Sequence, residues 1–253
     1  MNSIYTSRGM SNINSGFCAM FNNTINVCKI HQEIFKNNNI LIRENEIESL
    51  FNLRCIDNKY DYQYDIESYF NELVISGNYD NSSNAHTIAD YNKILEKNKT
   101  FNDIFELRNI IEYENELVEF IDDKTLSIHI RGTDKYLEVK PPNTEIIEKH
   151  IYDMLNNNDI TSIFLATDDI VYRNLLKSKF GNIIKYREQN ISLDGKPIHR
   201  IPDRSNINKD LMMDIYLLSK SKYFLYSFSN VSYLALIMGI NNFKKIKCIN
   251  ETI

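Results

Sequence analysis

His129-Ile-Arg131-Gly-Thr-Asp134-Lys135 places an imidazole, a guanidinium, a carboxylate and an ammonium directly after the strand-like run Leu126-Ser-Ile-His-Ile. A forked guanidinium beside these groups suits an anion with hydrogen-bonding edges, such as a nucleoside diphosphate. In α/β proteins such strand ends are where ligands bind. His129 alternates with Ile128 and Ile130 and so shares a strand face with Arg131. A lone strand histidine is more often a hydrogen-bonded packing residue than a catalyst; the adjacent arginine shifts the balance toward a site.

Two more strand ends carry polar groups. Ile163-Phe-Leu-Ala166 leads into Thr167-Asp168-Asp169, and Tyr223-Phe-Leu-Tyr226 leads into Ser227-Phe-Ser229-Asn230 at the start of a helical pattern. In a parallel sheet all three ends lie on one edge. Ser229 and Asn230 can cap the helix, and the amides beside them can bind phosphate at its positive end. Two aspartates next to a diphosphate repel it unless a metal intervenes, and neighbours on an extended chain point apart, so no metal site is expected. Asp168 can instead cap the next helix, one aspartate can orient Arg131 or Lys135, or one can accept from sugar hydroxyls. Asp214 sits inside the apolar helical run Leu211-Met-Met-Asp-Ile-Tyr-Leu-Leu and, if buried, needs a partner. A guanine edge, with two N–H donors, would satisfy it; capping or a solvent-facing position would too.

The elements that position these groups alternate. Strand-like runs at 126–130, 163–166, 183–186, 223–226 and 245–249 are separated by helical patterns, which predicts a parallel sheet covered by helices. Pro141-Pro142-Asn143-Thr144 supplies a stop and a cap for a helix carrying Ile147, Ile151 and Leu155. Further helices are expected at 170–180, ended by Gly181; at 209–219, after the cap candidates Asn206 and Asn208; and at 231–238, stopped at Gly239. The first half lacks proline and is rich in Tyr, Asn and Glu. It reads as a strand at 3–6, a glycine-bracketed loop from Gly9 to Gly16, a helix at 17–34, a strand at 39–43, a Tyr-rich insertion at 60–70, and helices at 88–96 and 101–120.

With 253 residues and 43% hydrophobic content the chain can bury one large core or two small ones. A net charge of −5 argues against a general nucleic-acid surface. Cys18, Cys28, Cys55 and Cys248 have no paired spacing and read as plain thiols. No apolar run reaches membrane-spanning length and the start lacks signal-peptide features, so a soluble, cytoplasmic protein without membrane partners is expected.

The three motifs, His129-Ile-Arg131-Gly-Thr-Asp134-Lys135, Phe164-Leu-Ala-Thr-Asp168-Asp169, and Asp214-Ile-Tyr-Leu-Leu-Ser219 through Ser227-Phe-Ser229-Asn230-Val-Ser-Tyr-Leu-Ala235, together resemble the GDP-fucose-dependent fucosyltransferases of the α-1,6 and α-1,2 type and the protein O-fucosyltransferases. The resemblance covers residues 126–239. It implies an α/β, GT-B-like fold of two Rossmann-like domains: residues 1–120 on the acceptor side and 121–253 binding the GDP-sugar. It also implies an inverting transfer of L-fucose to a glycan hydroxyl, with GDP-fucose as donor substrate and neither cofactor nor metal. Carried over by position, His129 and Asp214 contact guanine, and Arg131 with Ser229-Asn230 holds the diphosphate. Asp134, Lys135, Asp168 and Asp169 line the donor site, and Glu138 is the nearest carboxylate to serve as base. The α-1,6 enzymes carry two adjacent arginines where this chain has Arg131-Gly132. Outside the fucosyltransferase reading stand a GDP-linked transferase of another sugar and a nucleotide-binding module without catalysis.

Overall fold

The computed structural model describes residues 3–5, 16–54, 64–66, 90–133, 142–188, 191–192 and 205–250. These fall into two compact units, 3–110 and 111–250.

The first unit contains β1 (Ser3–Tyr5), α1 (Phe17–Phe35), β2 (Ile40–Ile42), α2 (Asn45–Leu50), β3 (Phe51–Leu53), β4 (Tyr64–Asp65), α3 (Tyr91–Ile104) and β5 (Phe105–Leu107). β1 is the centre of a parallel three-stranded sheet in the order β2-β1-β4. The long helix α1 buries polar as well as apolar residues and is tied to β1 by them. The Asn23 amide donates to the Tyr5 hydroxyl at 3.2 Å, and His31 Nδ1 lies 2.9 Å from Ser3 Oγ. The strand and helix at 3–5 and 17–35 follow the expected pattern, whereas the loop at 6–15 and most of the Tyr-rich insertion lie outside the described residues.

The helix expected at 101–120 is interrupted. α3 runs unbroken from Tyr91 to Ile104, β5 then pairs antiparallel with β3, and α4 (Ile110–Phe120) starts after Asn109 in the left-handed region at φ 53°. Packing decides this. Phe105 sits opposite Leu53 and turns its ring edge-on to Phe21 at 5.0 Å, within a cluster that also holds Phe51 and Phe101. Aromatic side chains favour a pleated, half-buried surface, and this cluster outweighs local helix preference.

The second unit holds α4, β6 (Thr125–Ile130), α5 (Thr144–Asn157), β7 (Ser162–Thr167), α6 (Ile170–Phe180), β8 (Ile184–Lys185), α7 (Ser205–Lys220), β9 (Tyr223–Tyr226), α8 (Asn230–Gly239) and β10 (Lys245–Cys248). Its five strands are all parallel, in the order β10-β9-β6-β7-β8. The chain starts at the centre with β6, moves out through β7 to β8, and returns to the other side of β6 with β9. The point where the order reverses, between β6 and β9, is the ligand-binding crevice of doubly wound folds.

Register assigns the two faces. Leu126, Ile128 and Ile130 align with Ile163, Leu165, Tyr223 and Leu225 and pack under Ile147, Ile151 and Met154 of α5 and Leu176 of α6. Ser127 and His129 face the other way with Phe164 and Phe224; there Phe164 meets Phe120 of α4 and His129 meets α8.

Local signals account for most boundaries. Asn143 caps α5 by accepting from Glu145 N–H at 3.0 Å, and α6 ends at Gly181, whose φ of 61° suits glycine. Asn206 and Asn208 are not caps: α7 already begins at Ser205, so both lie within it. α8 ends at Gly239 as expected, and there the missing Cβ also lets the helix press on the end of α7; a Cβ would lie 2.7 Å from Ser219 Cα.

Candidate active site

The ends of β6, β7 and β9 meet. Arg131 Nη1 reaches Asp168 Oδ2 at 2.5 Å, joining the ends of β6 and β7. Asp168 also holds the backbone after Arg131, accepting from Gly132 N–H at 2.8 Å and from the Thr133 hydroxyl at 2.7 Å. On the other side, Arg131 N–H donates to Ser227 Oγ at 2.8 Å, and Ser227 N–H donates to the His129 carbonyl at 2.9 Å. The reversal point of the sheet is thus fastened on both flanks of Arg131.

Of the three roles open to the aspartates, Asp168 takes the orienting one. The cap belongs to Asp169, whose Oδ1 accepts from Val171 N–H at 2.8 Å at the start of α6. Gly132 explains how the two fit together: a Cβ at this position would collide with the Asp169 Cβ and lie 2.6 Å from its Oδ2. The residue that departs from the arginine pair is therefore one on which the local packing depends.

His129 is buried against the start of α8. Its Nδ1 lies 2.6 Å from Ser232 Oγ and 3.3 Å from Ser229 Oγ. Ser229 is the N-cap of α8, accepting from Ser232 N–H at 3.0 Å, and Asn230 is the first helical residue. Burial lowers the imidazole pKa to about 4, with Asp168 opposing and Arg131 adding to the shift, so His129 is neutral near pH 7.

Asp214 is buried on α7 and has the partner its position demanded. Arg187, following β8, reaches Asp214 Oδ1 at 3.3 Å, Asp210 Oδ1 at 3.3 Å and Glu116 Oε2 at 3.2 Å. Burial disfavours the charged guanidinium, but these carboxylates, Asp214 foremost, outweigh it and raise the Arg187 pKa. Sequence reasoning missed Arg187, whose only signal was its place after a short strand, and also Ser227 and Ser232 as partners of the motif. Asp134, Lys135 and Glu138 lie outside the described residues.

Of the cysteines, Cys18, Cys28 and Cys248 are buried and Cys55 lies outside the described residues. Among the described residues, no helix is long and apolar enough to cross a membrane.

The fold and the fastened strand ends define an α/β protein of GT-B type, with a Rossmann-like sheet whose polar groups gather at its reversal point. The same fold occurs in NodZ α-1,6-fucosyltransferase. The NodZ structure co-crystallised with GDP superposes with a TM-score of 0.54 at 11% identity, covering 94% of this chain and 92% of that one. The structure soaked with GDP-fucose gives 0.51 at 12% identity over 94% and 93%, and that of NodZ from Bradyrhizobium gives 0.50 at 11% over 94% and 93%. Neither a protein-family model nor a curated protein sequence matches the chain.

Proposed function

We propose that this chain is an inverting glycosyltransferase that moves L-fucose from GDP-fucose to a glycan hydroxyl. The observation that carries the reading is Arg131, held at the reversal point of a parallel sheet by Asp168 on one side and Ser227 on the other. Support comes from the fold shared with NodZ over nearly the whole of both chains. In this reading Arg131 and the Ser229-Asn230 start of α8 receive the diphosphate, where the helix dipole adds a positive end. His129 and Asp214 receive guanine. Asp168 and Asp169 support the pocket from behind, by holding Arg131 and by capping α6. Asp134 and Lys135 belong to the donor site in this reading.

The reaction breaks the bond between fucose C1 and the β-phosphate oxygen while the acceptor oxygen bonds to C1 from the opposite face. The leaving oxygen keeps the electron pair, so negative charge grows on the β-phosphate. A fixed guanidinium stabilises that charge more in the transition state than in the bound donor. The acceptor proton goes to a carboxylate, for which Glu138 is our assignment. Because a guanidinium supplies the charge compensation, the reading requires no metal and no cofactor.

The test is GDP-fucose turnover on glycan acceptors with Arg131→Ala and Arg131→Lys. Loss of a charged contact of about 1.5–3 kcal/mol predicts at least a tenfold fall for Arg131→Ala. Near-normal turnover in that variant would sink the assignment. Selective GDP binding by the unaltered protein with no turnover on any acceptor would leave a binding module. Transfer of a different GDP-linked sugar would replace fucose.

A further inference from the structure

The hydrogen bonds around His129 determine which of its nitrogens carries the proton. Ser232 has one hydroxyl hydrogen, and its Oγ lies 2.7 Å from the Ser227 carbonyl oxygen, which can only accept. That hydrogen therefore goes to Ser227, and Ser232 Oγ meets His129 Nδ1 at 2.6 Å as an acceptor. Ser229 reinforces this arrangement. Its oxygen accepts from Ser232 N–H, and its own hydrogen turns toward Ser232 Oγ at 3.2 Å. The imidazole must donate from Nδ1, and as a neutral ring it then has a lone pair on Nε2. Among the described residues, no hydrogen-bond partner meets Nε2. A nitrogen in this state repels phosphate oxygens and accepts an N–H or O–H.

We propose that Ser232 is a specificity-determining positioning residue: with the Ser227 carbonyl it locks His129 as the Nδ1–H tautomer, so that Nε2 selects a purine carrying a ring N–H over one carrying a ring lone pair. Guanine has N1–H, whereas adenine has an unprotonated N1. The selection rests on the GDP-sugar reading above, while the tautomer rests on the hydrogen bonds alone.

Ser232→Ala tests both. Without Ser232 Oγ, the Ser229 hydroxyl hydrogen turns to Nδ1, 3.3 Å away, and the ring shifts toward Nε2–H. Nitrogen-15 NMR of the full chain should show Nδ1–H in the unaltered protein, Nε2–H or a mixture in Ser232→Ala, and Nδ1–H again in Ser232→Thr. Calorimetry should show the preference for GDP over ADP falling about tenfold in Ser232→Ala and returning in Ser232→Thr, since a donor would then face the guanine N–H. An Nε2–H ring in the unaltered protein overturns the tautomer assignment. An unchanged GDP-to-ADP ratio in Ser232→Ala overturns the selection. If the unaltered protein binds neither nucleotide, the GDP-sugar reading falls and takes the selection with it, while the resonances still decide the tautomer.

Discussion

Replacing Asp168 with asparagine separates holding Arg131 from touching the ligand. The Asp168→Asn side chain keeps an oxygen for Gly132 N–H, but it loses the charge that faces Arg131 at 2.5 Å, and its amide nitrogen cannot accept from Arg131 or Thr133. The pair is partly shielded, with 18% and 13% of the two side chains exposed, so the stability lost, after a discount for solvent screening, is about 2 kcal/mol. Two effects on function then oppose each other. Removing one negative charge from the surroundings of a bound phosphate, in a partly screened site, favours GDP by about 1 kcal/mol, or about fivefold in Kd. Arg131 meanwhile loses the group that aims it, and about 1.5–3 kcal/mol of transition-state stabilisation goes with it, a fall of about 10- to 150-fold in kcat. Calorimetry with GDP and turnover of GDP-fucose should therefore move in opposite directions. A parallel loss of GDP affinity and turnover would refute the reasoning and make Asp168 a ligand contact.

Three other perturbations have expected outcomes. His129 has a folded pKa near 4 against 6.5 in the unfolded chain, so the unfolded state takes up the proton first; the associated stability is complete above pH 6.5 and is lost as pH falls toward 4, by about 3 kcal/mol. Denaturant titrations at pH 7 and 4.5 should show His129→Gln losing less than the unaltered protein over that interval, and equal losses would contradict the buried neutral imidazole. Gly132→Ala should push Asp169 off the start of α6 and cost about 1–2 kcal/mol, read as a lower Tm, whereas an unchanged Tm would mean the collision is absorbed. Arg187→Met removes the guanidinium that meets buried Asp214 and should cost about 3 kcal/mol; adding Asp214→Asn should recover part of that in denaturation experiments, and further loss in the double variant would argue against an ion-pair role.

The sheet of the second unit was legible because its strands are short apolar runs separated by helices with strong punctuation, as at Asn143 and Gly181. That the three polar strand ends share one edge also followed, from the parallel direction of the strands, whereas the order β10-β9-β6-β7-β8 did not. The helix boundary at Ile104 was not legible. Phe101, Ile104 and Phe105 fit a helical stripe, and only the contact of the two phenylalanines with Phe21 and Phe51, remote in sequence, turns Phe105 into a strand residue. At the site, the sequence marked Arg131, Asp168 and Ser229, because charged and capping residues at strand ends stand out. The exchange of roles between Asp168 and Asp169 was hidden, since either carboxylate can cap, and the choice depends on Gly132 lying against one of them. Ser227 and Ser232 were hidden for another reason: buried serines that set a tautomer look like any small polar residues.

The contact between Gly132 and Asp169 also limits how this chain can change by descent. A larger residue at 132, such as arginine, would bring its own Cβ into the space that Asp169 occupies. A larger residue is acquired at least cost where position 169 is already small and α6 has another cap. In the other direction, a change to glycine at 132 opens room that an aspartate can then fill, and once it is filled the way back carries the cost of the collision, about 1–2 kcal/mol. The two positions should therefore be inherited as a unit, with their order of substitution fixed by sterics rather than by chemistry.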